Sequence, residues 1–121
     1  MCGYAQYPYP LKCSSIDYDQ KMYTKLSICE AIREYRLIEL TYGWGSRIVE
    51  PHAYGLNDNG HDLLRCYQTS GASESGEHHG WKLFRLDEIH SLNVLQETFS
   101  GARRGYKRGD KALDERIYCE L

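Results

Sequence analysis

Short segments in which apolar and polar residues alternate are the feature that most constrains the fold of this chain. In residues 37–42 (Leu-Ile-Glu-Leu-Thr-Tyr) every second side chain from Ile38 is apolar, as in a β-strand that buries one face. Residues 63–68 and 81–95 contain similar runs, and turns containing glycine separate the segments. Short strands joined by tight turns, with one helix packed at the end, predict a mainly β (α+β) fold built on a small antiparallel barrel of about five strands.

One helix is expected before the strands and another after them. Ser27 and Glu30 have the spacing of a capping box, in which each side chain bonds a free N–H group at a helix start. Apolar residues at helical spacing follow this pair, which predicts an N-terminal helix. Residues 1–25 show no sustained period, which indicates an extended arm. Residues 111–118 return to helical spacing and predict a short C-terminal helix.

The chain divides into an arm at residues 1–25, a β-barrel domain at 26–99 and a basic tail at 100–121. Its 121 residues provide one modest core, so one folded domain is expected. No apolar run reaches the length of a membrane span, and the chain does not open on a secretory signal. The five cysteines show no Cys-x-x-Cys spacing. An odd number without a signal predicts reduced thiols and a cytoplasmic protein.

Catalytic and metal-binding chemistry is weakly represented in the sequence. The five histidines lack the spacing of metal ligands, so no zinc site is predicted. Asp87 and Glu88 are adjacent carboxylates of the kind that exchange protons in catalysis, but an aspartate in a turn more often bonds the backbone. A serine elbow and a phosphate-binding glycine loop are also missing. We therefore expect neither an enzyme nor a bound cofactor.

Arginines on the predicted strands are the best candidates for a binding site. Arg65 interrupts an apolar run, Arg47 opens a strand and Arg85 closes one. Guanidinium groups that converge on one face of a barrel can bind phosphate through their forked donors. Tyr67, two residues from Arg65, would share its face and stack a base. The alternative is that each arginine extends over the barrel and pairs with a nearby acidic side chain such as Glu50 or Asp87.

The tail concentrates positive charge, although the whole chain carries a formal net charge of −2. Residues 103–109 (Arg-Arg-Gly-Tyr-Lys-Arg-Gly) interleave basic side chains with an aromatic one, a composition suited to following a phosphate backbone. Apolar residues farther along indicate that the tail docks on the barrel. Arg103 and Arg104 would then extend the anion site. The alternative is a disordered terminus that only adds solubility.

The order of these segments resembles the WYL domain, a small SH3/Sm-like β-barrel found mostly in bacterial regulators. The most specific match is at residues 84–89 (Phe-Arg-Leu-Asp-Glu-Ile), which agree with the family's Phe-Arg-Leu-Asp-Arg-Ile pattern everywhere but at Glu88. Residues 47–51 (Arg-Ile-Val-Glu-Pro) match a family strand, and Leu64 is the matching member of the triplet that names the family. The resemblance implies a role in transcriptional regulation, with basic residues of the barrel sensing single-stranded nucleic acid or nucleotides.

Two functions are therefore predicted for a stand-alone WYL-like protein without a membrane partner. The first is a ligand-sensing module that binds a nucleotide or single-stranded nucleic acid through the strand arginines and Tyr67. The second is a protein-interaction module, acting as a homodimer or as the partner of a separate DNA-binding regulator. The second is the alternative, and it is motivated by the near-neutral net charge and by the N-terminal arm, which is too short for a helix-turn-helix module and carries Tyr4, Tyr7 and Tyr9, since aromatic side chains anchor interfaces.

Overall fold

The structure, a computed structural model, describes residues 13–121, with side chains from residue 22 onward. Its elements are α1 (Cys13–Arg33), β1 (Arg36–Tyr42), β2 (Gly45–Leu56), β3 (Asp62–Gly71), β4 (Gly80–Arg85), β5 (Ile89–Thr98) and β6 (Arg116–Glu120). A short 3-10 turn at Leu86–Glu88 links β4 to β5. The prediction of a mainly β chain with a helix ahead of its strands is confirmed.

The strands of the described residues form one antiparallel sheet. Hydrogen-bonded neighbours follow the order β4-β3-β2-β1-β5, and β6 pairs with β2 beside this path. The end strands β4 and β5 do not pair with each other, so the sheet is open between them. The alternating segments at residues 37–42, 63–68 and 81–95 correctly located β1, β3 and the two successive strands β4 and β5. The sixth strand was not predicted.

β2 extends beyond the end of its pairing with β1, and β6 pairs with the extra length. β1 pairs with β2 only as far as Val49, which leaves backbone groups of residues 53–56 in need of a partner. β6 supplies it, with Ala53 opposite Glu120. The prediction of a short helix at residues 111–118 is therefore wrong, because residues 111–115 form turns and bends and β6 begins at Arg116. The expected docking of the tail on the sheet is confirmed.

Helix α1 begins well before the predicted capping box. Ser27 and Glu30 lie in its interior, so the prediction of an extended arm is wrong for residues 13–25, and residues 1–12 lie outside the described part. No glycine or proline occurs between Cys13 and Arg33, so nothing in this stretch breaks a helix. Among the described residues, no helix combines the length and the apolar character needed to cross a membrane.

Helix α1 covers one face of the sheet. Ile28, Ala31 and Ile32 are at most 1% exposed and form its docked side. They pack on apolar side chains from four strands, namely Ile38, Leu40, Val49, Leu64, Cys66 and Phe84. Burying one such aliphatic side chain contributes about 1.5–3 kcal/mol. This layer is therefore the main core of the molecule.

The tail covers the opposite face of the sheet, called here the outer face. Side chains alternate between the two faces along each strand, so Leu63 of β3 points away from the helix-covered core. Leu63, Ala53 and Leu113 form a second, smaller core, against which Tyr106 and Ile117 of the tail are packed. Residues beyond β5 are thus a structural layer of the fold.

A disulfide joins Cys29 of α1 to Cys119 of β6, whose Cα atoms lie 5.6 Å apart. The prediction of reduced thiols is wrong for this pair, since 90 residues separate the two cysteines along the chain and only the docking of β6 beside α1 brings them together. Cys66 is a free thiol and is wholly buried. Burial raises the pKa of this thiol, which makes Cys66 an inert core residue.

Replacing Ile28 with alanine should lower the free energy of unfolding by about 2–5 kcal/mol, the usual cost of a cavity in a packed core. The matched change Leu26→Ala alters a side chain of the same helix that is 62% exposed, and it should change stability by less than about 0.5 kcal/mol. Chemical denaturation followed by circular dichroism measures both. Equal losses in the two variants would contradict the docking of α1 through the Ile28 side.

Candidate functional site

Three aromatic side chains, called here the aromatic cluster, meet where the tail crosses the outer face. Tyr67 of β3 and Trp81 of β4 are cross-strand partners, and their rings lie edge to face with centroids 5.4 Å apart. Tyr106 of the tail lies 6.3 Å from Trp81, with 25° between the ring planes. Arg65 stands two residues from Tyr67 on β3, so the two side chains share one face, as predicted.

Arg103 lies against the aromatic cluster, but its charge is already paired. Its guanidinium stands 4.2 Å from the centroid of the Tyr67 ring. Nε and Nη2 donate to the two carboxylate oxygens of Glu50 at 2.8 and 3.0 Å. These hydrogen bonds raise the pKa of Arg103, and Glu50 is only 6% exposed. The forked pair therefore fastens the start of the tail to β2.

His52 is wholly buried beside this pair and bonds through both ring nitrogens. Nδ1 donates to the carbonyl oxygen of Glu50 at 2.8 Å, and Nε2 accepts the backbone N–H of Arg103 at 3.0 Å. The ring also contacts Trp81 and Tyr106 edge-on, with centroids 4.8 and 5.1 Å away. Burial lowers the pKa of His52, and the acceptor role of Nε2 requires the neutral ring.

A cavity of about 590 Å³ opens between Arg65, Trp81 and residues 105–111, called here the basic loop. Arg65 donates from Nε to Asp110 at 2.7 Å and from Nη2 at 3.3 Å. Burial acts to raise the pKa of Asp110, but hydrogen bonds from Arg65 and from the N–H of Ala112 outweigh it and lower that pKa. The ionised pair holds the end of the basic loop against β3.

Lysines of the basic loop carry the charge that remains available to a ligand. Lys107 and Lys111 line the cavity and are exposed, and no carboxylate of the described residues lies within 4.0 Å of either. Arg104 is exposed just ahead of the loop. Arg108 is 71% exposed and meets Glu120 at 3.3 Å. An anion at this cavity would therefore meet lysine side chains first.

Arg47 does not join the other strand arginines. Its side chain is 3% exposed and lies on the helix-covered side, over the rings of Tyr42 and Phe84 at 5.3 and 5.2 Å. Its Nε has no hydrogen-bond partner among the described residues. The structure thus places Arg47 and Arg65 on opposite faces, and the predicted convergence of the arginines on one face does not occur.

Arg85 shares the outer face but lies away from the cavity. It stands four residues from Trp81 along β4, a spacing of roughly 13 Å in a strand. Its guanidinium pairs with Asp87 at 2.7 Å and with Glu88 at 3.8 Å. The hydrogen bond to Asp87 raises the pKa of Arg85 and lowers that of Asp87. For Arg85, the structure therefore shows the alternative considered in the sequence analysis, in which the arginine pairs with a nearby acidic side chain.

Sequence reasoning missed His52, and it named Glu50 only as one possible acidic partner of a strand arginine. His52 follows Pro51 in the mostly apolar run Ile-Val-Glu-Pro-His-Ala-Tyr, and a polar side chain in such a run could have marked it. Asp110 is the single acid in a basic stretch, which marks it as a partner for a cation. Comparison of the chain with protein-family models, with curated proteins and with solved structures found no match. The chemistry of the site itself therefore carries the functional conclusion.

Stability should fall as the pH drops below about 6.5, the ordinary pKa of histidine. Folding lowers the pKa of His52, so the unfolded chain binds a proton first, and the stability due to the neutral ring is lost between that value and the lower folded pKa. One proton limits the slope to about 1.4 kcal/mol per pH unit. Urea unfolding between pH 8 and pH 5 measures it. In His52→Gln this slope should disappear, and an unchanged slope would contradict the assignment.

Proposed function

We propose that this chain binds a nucleotide or a short single-stranded nucleic acid in the cavity between the aromatic cluster and the basic loop. The observation that carries the proposal is that Trp81 and Tyr106 line one cavity together with Lys107 and Lys111, which no carboxylate of the described residues pairs. A volume of about 590 Å³ lies in the range that holds small-molecule ligands. A flat base and its phosphates need this combination of ring surface and positive charge.

Base stacking would supply the part of the affinity that does not depend on salt. Trp81 is half-buried at the cavity wall, and its ring plane lies within 25° of that of Tyr106. A base has a π-face whatever its identity, so such a surface binds single strands with little sequence preference. His52 holds both rings in place before a ligand arrives, because its carbonyl oxygen accepts the hydroxyl of Tyr106 and its ring packs on Trp81.

Phosphate would meet Lys107 and Lys111 rather than a clamp of three arginines. Arg65 and Arg103 are engaged by Asp110 and Glu50, so their role is to hold the loop and the tail in position. Lysine acts as a flexible point charge, which suits phosphates whose positions vary along a strand. Arg104 would extend the charge toward the tail's start.

The fold is consistent with a regulatory role for this nucleotide or nucleic-acid binding. One helix followed by five consecutive antiparallel strands suits the SH3/Sm-like barrel that the WYL resemblance implies. The ligand would lie on the outer face, in contact with residues 105–111 of the tail. The protein would then act as a sensor that reports a bound nucleotide or single strand to a transcriptional regulator.

Binding of a short labelled oligothymidylate, followed by fluorescence anisotropy, should weaken as salt rises, because phosphate contacts release counterions. Lys107→Ala and Lys111→Ala should each reduce the salt slope by about 0.7. Trp81→Ala should cost about 1–3 kcal/mol of binding free energy. Unlabelled nucleotides added as competitors would identify the smallest ligand.

Two matched variants control this experiment. Trp44 is 79% exposed and belongs to the β1–β2 turn, so Trp44→Ala should leave affinity unchanged. Arg85→Ala removes a cation paired with acids away from the cavity, and it should also have no effect. A protein that binds no oligonucleotide, or that loses as much affinity through Arg85→Ala as through Lys107→Ala, would contradict the proposal.

A second candidate is a homodimer, favoured by exposed apolar side chains on α1. Tyr23 and Leu26 are 69% and 62% exposed, and Tyr23 lines a cavity of about 600 Å³ between α1 and β5. Within the described residues β5 pairs only with β1, and a free strand edge is a template for a second chain. The tyrosines of the arm, on which the sequence prediction rested, lie outside the described residues.

Light scattering after size exclusion should then report twice the mass of one chain. Changing Tyr23 and Leu26 together to serine should produce monomers, because the apolar contact would be lost. Trp44→Ser removes an equally exposed aromatic side chain from a distant turn and should leave the dimer intact. A monomer across the accessible concentration range would exclude this candidate.

A further inference from the structure

The Cys29–Cys119 disulfide lies at a cavity rather than inside the core. Both cysteines are half-buried, and both line a cavity of about 390 Å³ between α1 and β6. Arg33 and Arg108 line the same cavity. Arg33 is exposed and no carboxylate of the described residues lies within 4.0 Å of it. A small anionic thiol therefore has both a route to the sulfur atoms and a positive charge to approach.

The two residues after Cys119 hold the central part of the basic loop, whereas the Arg65–Asp110 pair holds its end. Glu120 accepts the N–H of Gly109 at 3.0 Å and pairs with Arg108 at 3.3 Å. The carbonyl oxygen of Leu121 accepts the hydroxyl of Tyr106 at 3.3 Å. Both ends of the central part of the loop are thus bonded to the chain end that the disulfide fastens to α1.

We propose that this disulfide is a site of thiol–disulfide exchange with small thiols, and that opening it releases the basic loop. Without the covalent bond, β6 is retained by its ladder with β2 and by side-chain contacts alone. The last residues of β6 would then separate from β2 more often, and the bonds of Glu120 and Leu121 to the basic loop would be lost together. The consequence for ligand binding rests on the proposed function, whereas the release of the loop does not.

The exchange needs two equivalents of thiol, for which glutathione is a suitable anionic probe. A thiolate attacks one Sγ, the Cys29–Cys119 bond breaks, and the other cysteine leaves as a thiolate. The guanidinium of Arg33 favours this leaving thiolate, because a nearby cation stabilises the charged sulfur. A second thiolate attacks the mixed disulfide, which yields oxidised glutathione and a second cysteine thiolate. Both protein thiolates take protons from solvent, so the disulfide is reduced by the two electrons that the thiols lose.

Limited trypsin cleavage reads the position of the basic loop without any ligand. The full chain carrying Cys2→Ser and Cys13→Ser is compared before and after incubation with reduced glutathione, and mass spectrometry reports the state of Cys29 and Cys119. Cleavage after Lys107, Arg108 and Lys111 should become about tenfold faster on reduction, the change that a loss of about 1.4 kcal/mol in local stability produces. Cleavage after Lys82, which lies within the paired strand β4, should not become faster on reduction.

Two variants keep the test decisive if reduction also loosens the rest of the fold. Glu120→Gln keeps the disulfide and removes the ion pair with Arg108, so it should speed loop cleavage in the oxidised protein. Cys119→Ser should match the reduced protein, with circular dichroism confirming that the sheet is retained. A disulfide that glutathione leaves intact, or loop cleavage that is the same in both redox states, would overturn the inference.

Oligonucleotide affinity measured on the same samples separates this inference from the proposed function. If reduction releases the loop and oligonucleotide affinity falls several-fold, both the exchange site and the proposed function are supported. If neither redox form binds oligonucleotide while cleavage still changes, the proposed function fails and the exchange site stands. If the oxidised protein binds and neither cleavage nor affinity responds to reduction, the exchange site fails alone.

Discussion

The pairing of β2 with three other strands is the interaction on which the rest of the structure depends. β1, β3 and β6 all take backbone hydrogen bonds from it, and every residue from Val49 to Gly55 is buried as a result. A strand covered on both faces can keep a carboxylate and an imidazole only if they are bonded. Glu50 and His52 meet this demand through Arg103, and the same bonds fasten the tail to the sheet.

Sequence patterns correctly predicted the elements that depend on neighbouring residues. They failed to predict elements whose conformation depends on pairing with backbone far away in the chain. Alternation located β1 because one face of residues 37–42 is buried whatever the rest of the chain does. β6 was taken for a helix, since nothing near residues 111–118 reveals that a ladder sixty residues away lacks a partner. The start of α1 was missed because no cap or regular apolar stripe marks it, yet nothing from Cys13 onward breaks a helix.

The candidate site shows the same division. The shared face of Arg65 and Tyr67 follows from a period of two and was predicted, as was the docking of the tail. Glu50 and Asp87 were named as possible acidic partners of the strand arginines, but the pairs of Arg65 and Arg103 could not be assigned, because these two arginines bond acids 45 and 53 residues away. Because these two arginines are in ion pairs, the charges available to a ligand are those of Lys107 and Lys111. Their exposure depends on the tertiary path of the basic loop.

The disulfide also makes the molecule a closed covalent ring from residue 29 to residue 119. In the chain-entropy model, closing a loop of this size disfavours the unfolded state by on the order of 4–5 kcal/mol. All of β1 to β5, and β6 as far as Cys119, lie within the ring. A single backbone cut in a turn, such as the one between β3 and β4, would therefore leave two polypeptides that the disulfide still joins in one covalent molecule, so both parts of the sheet stay together.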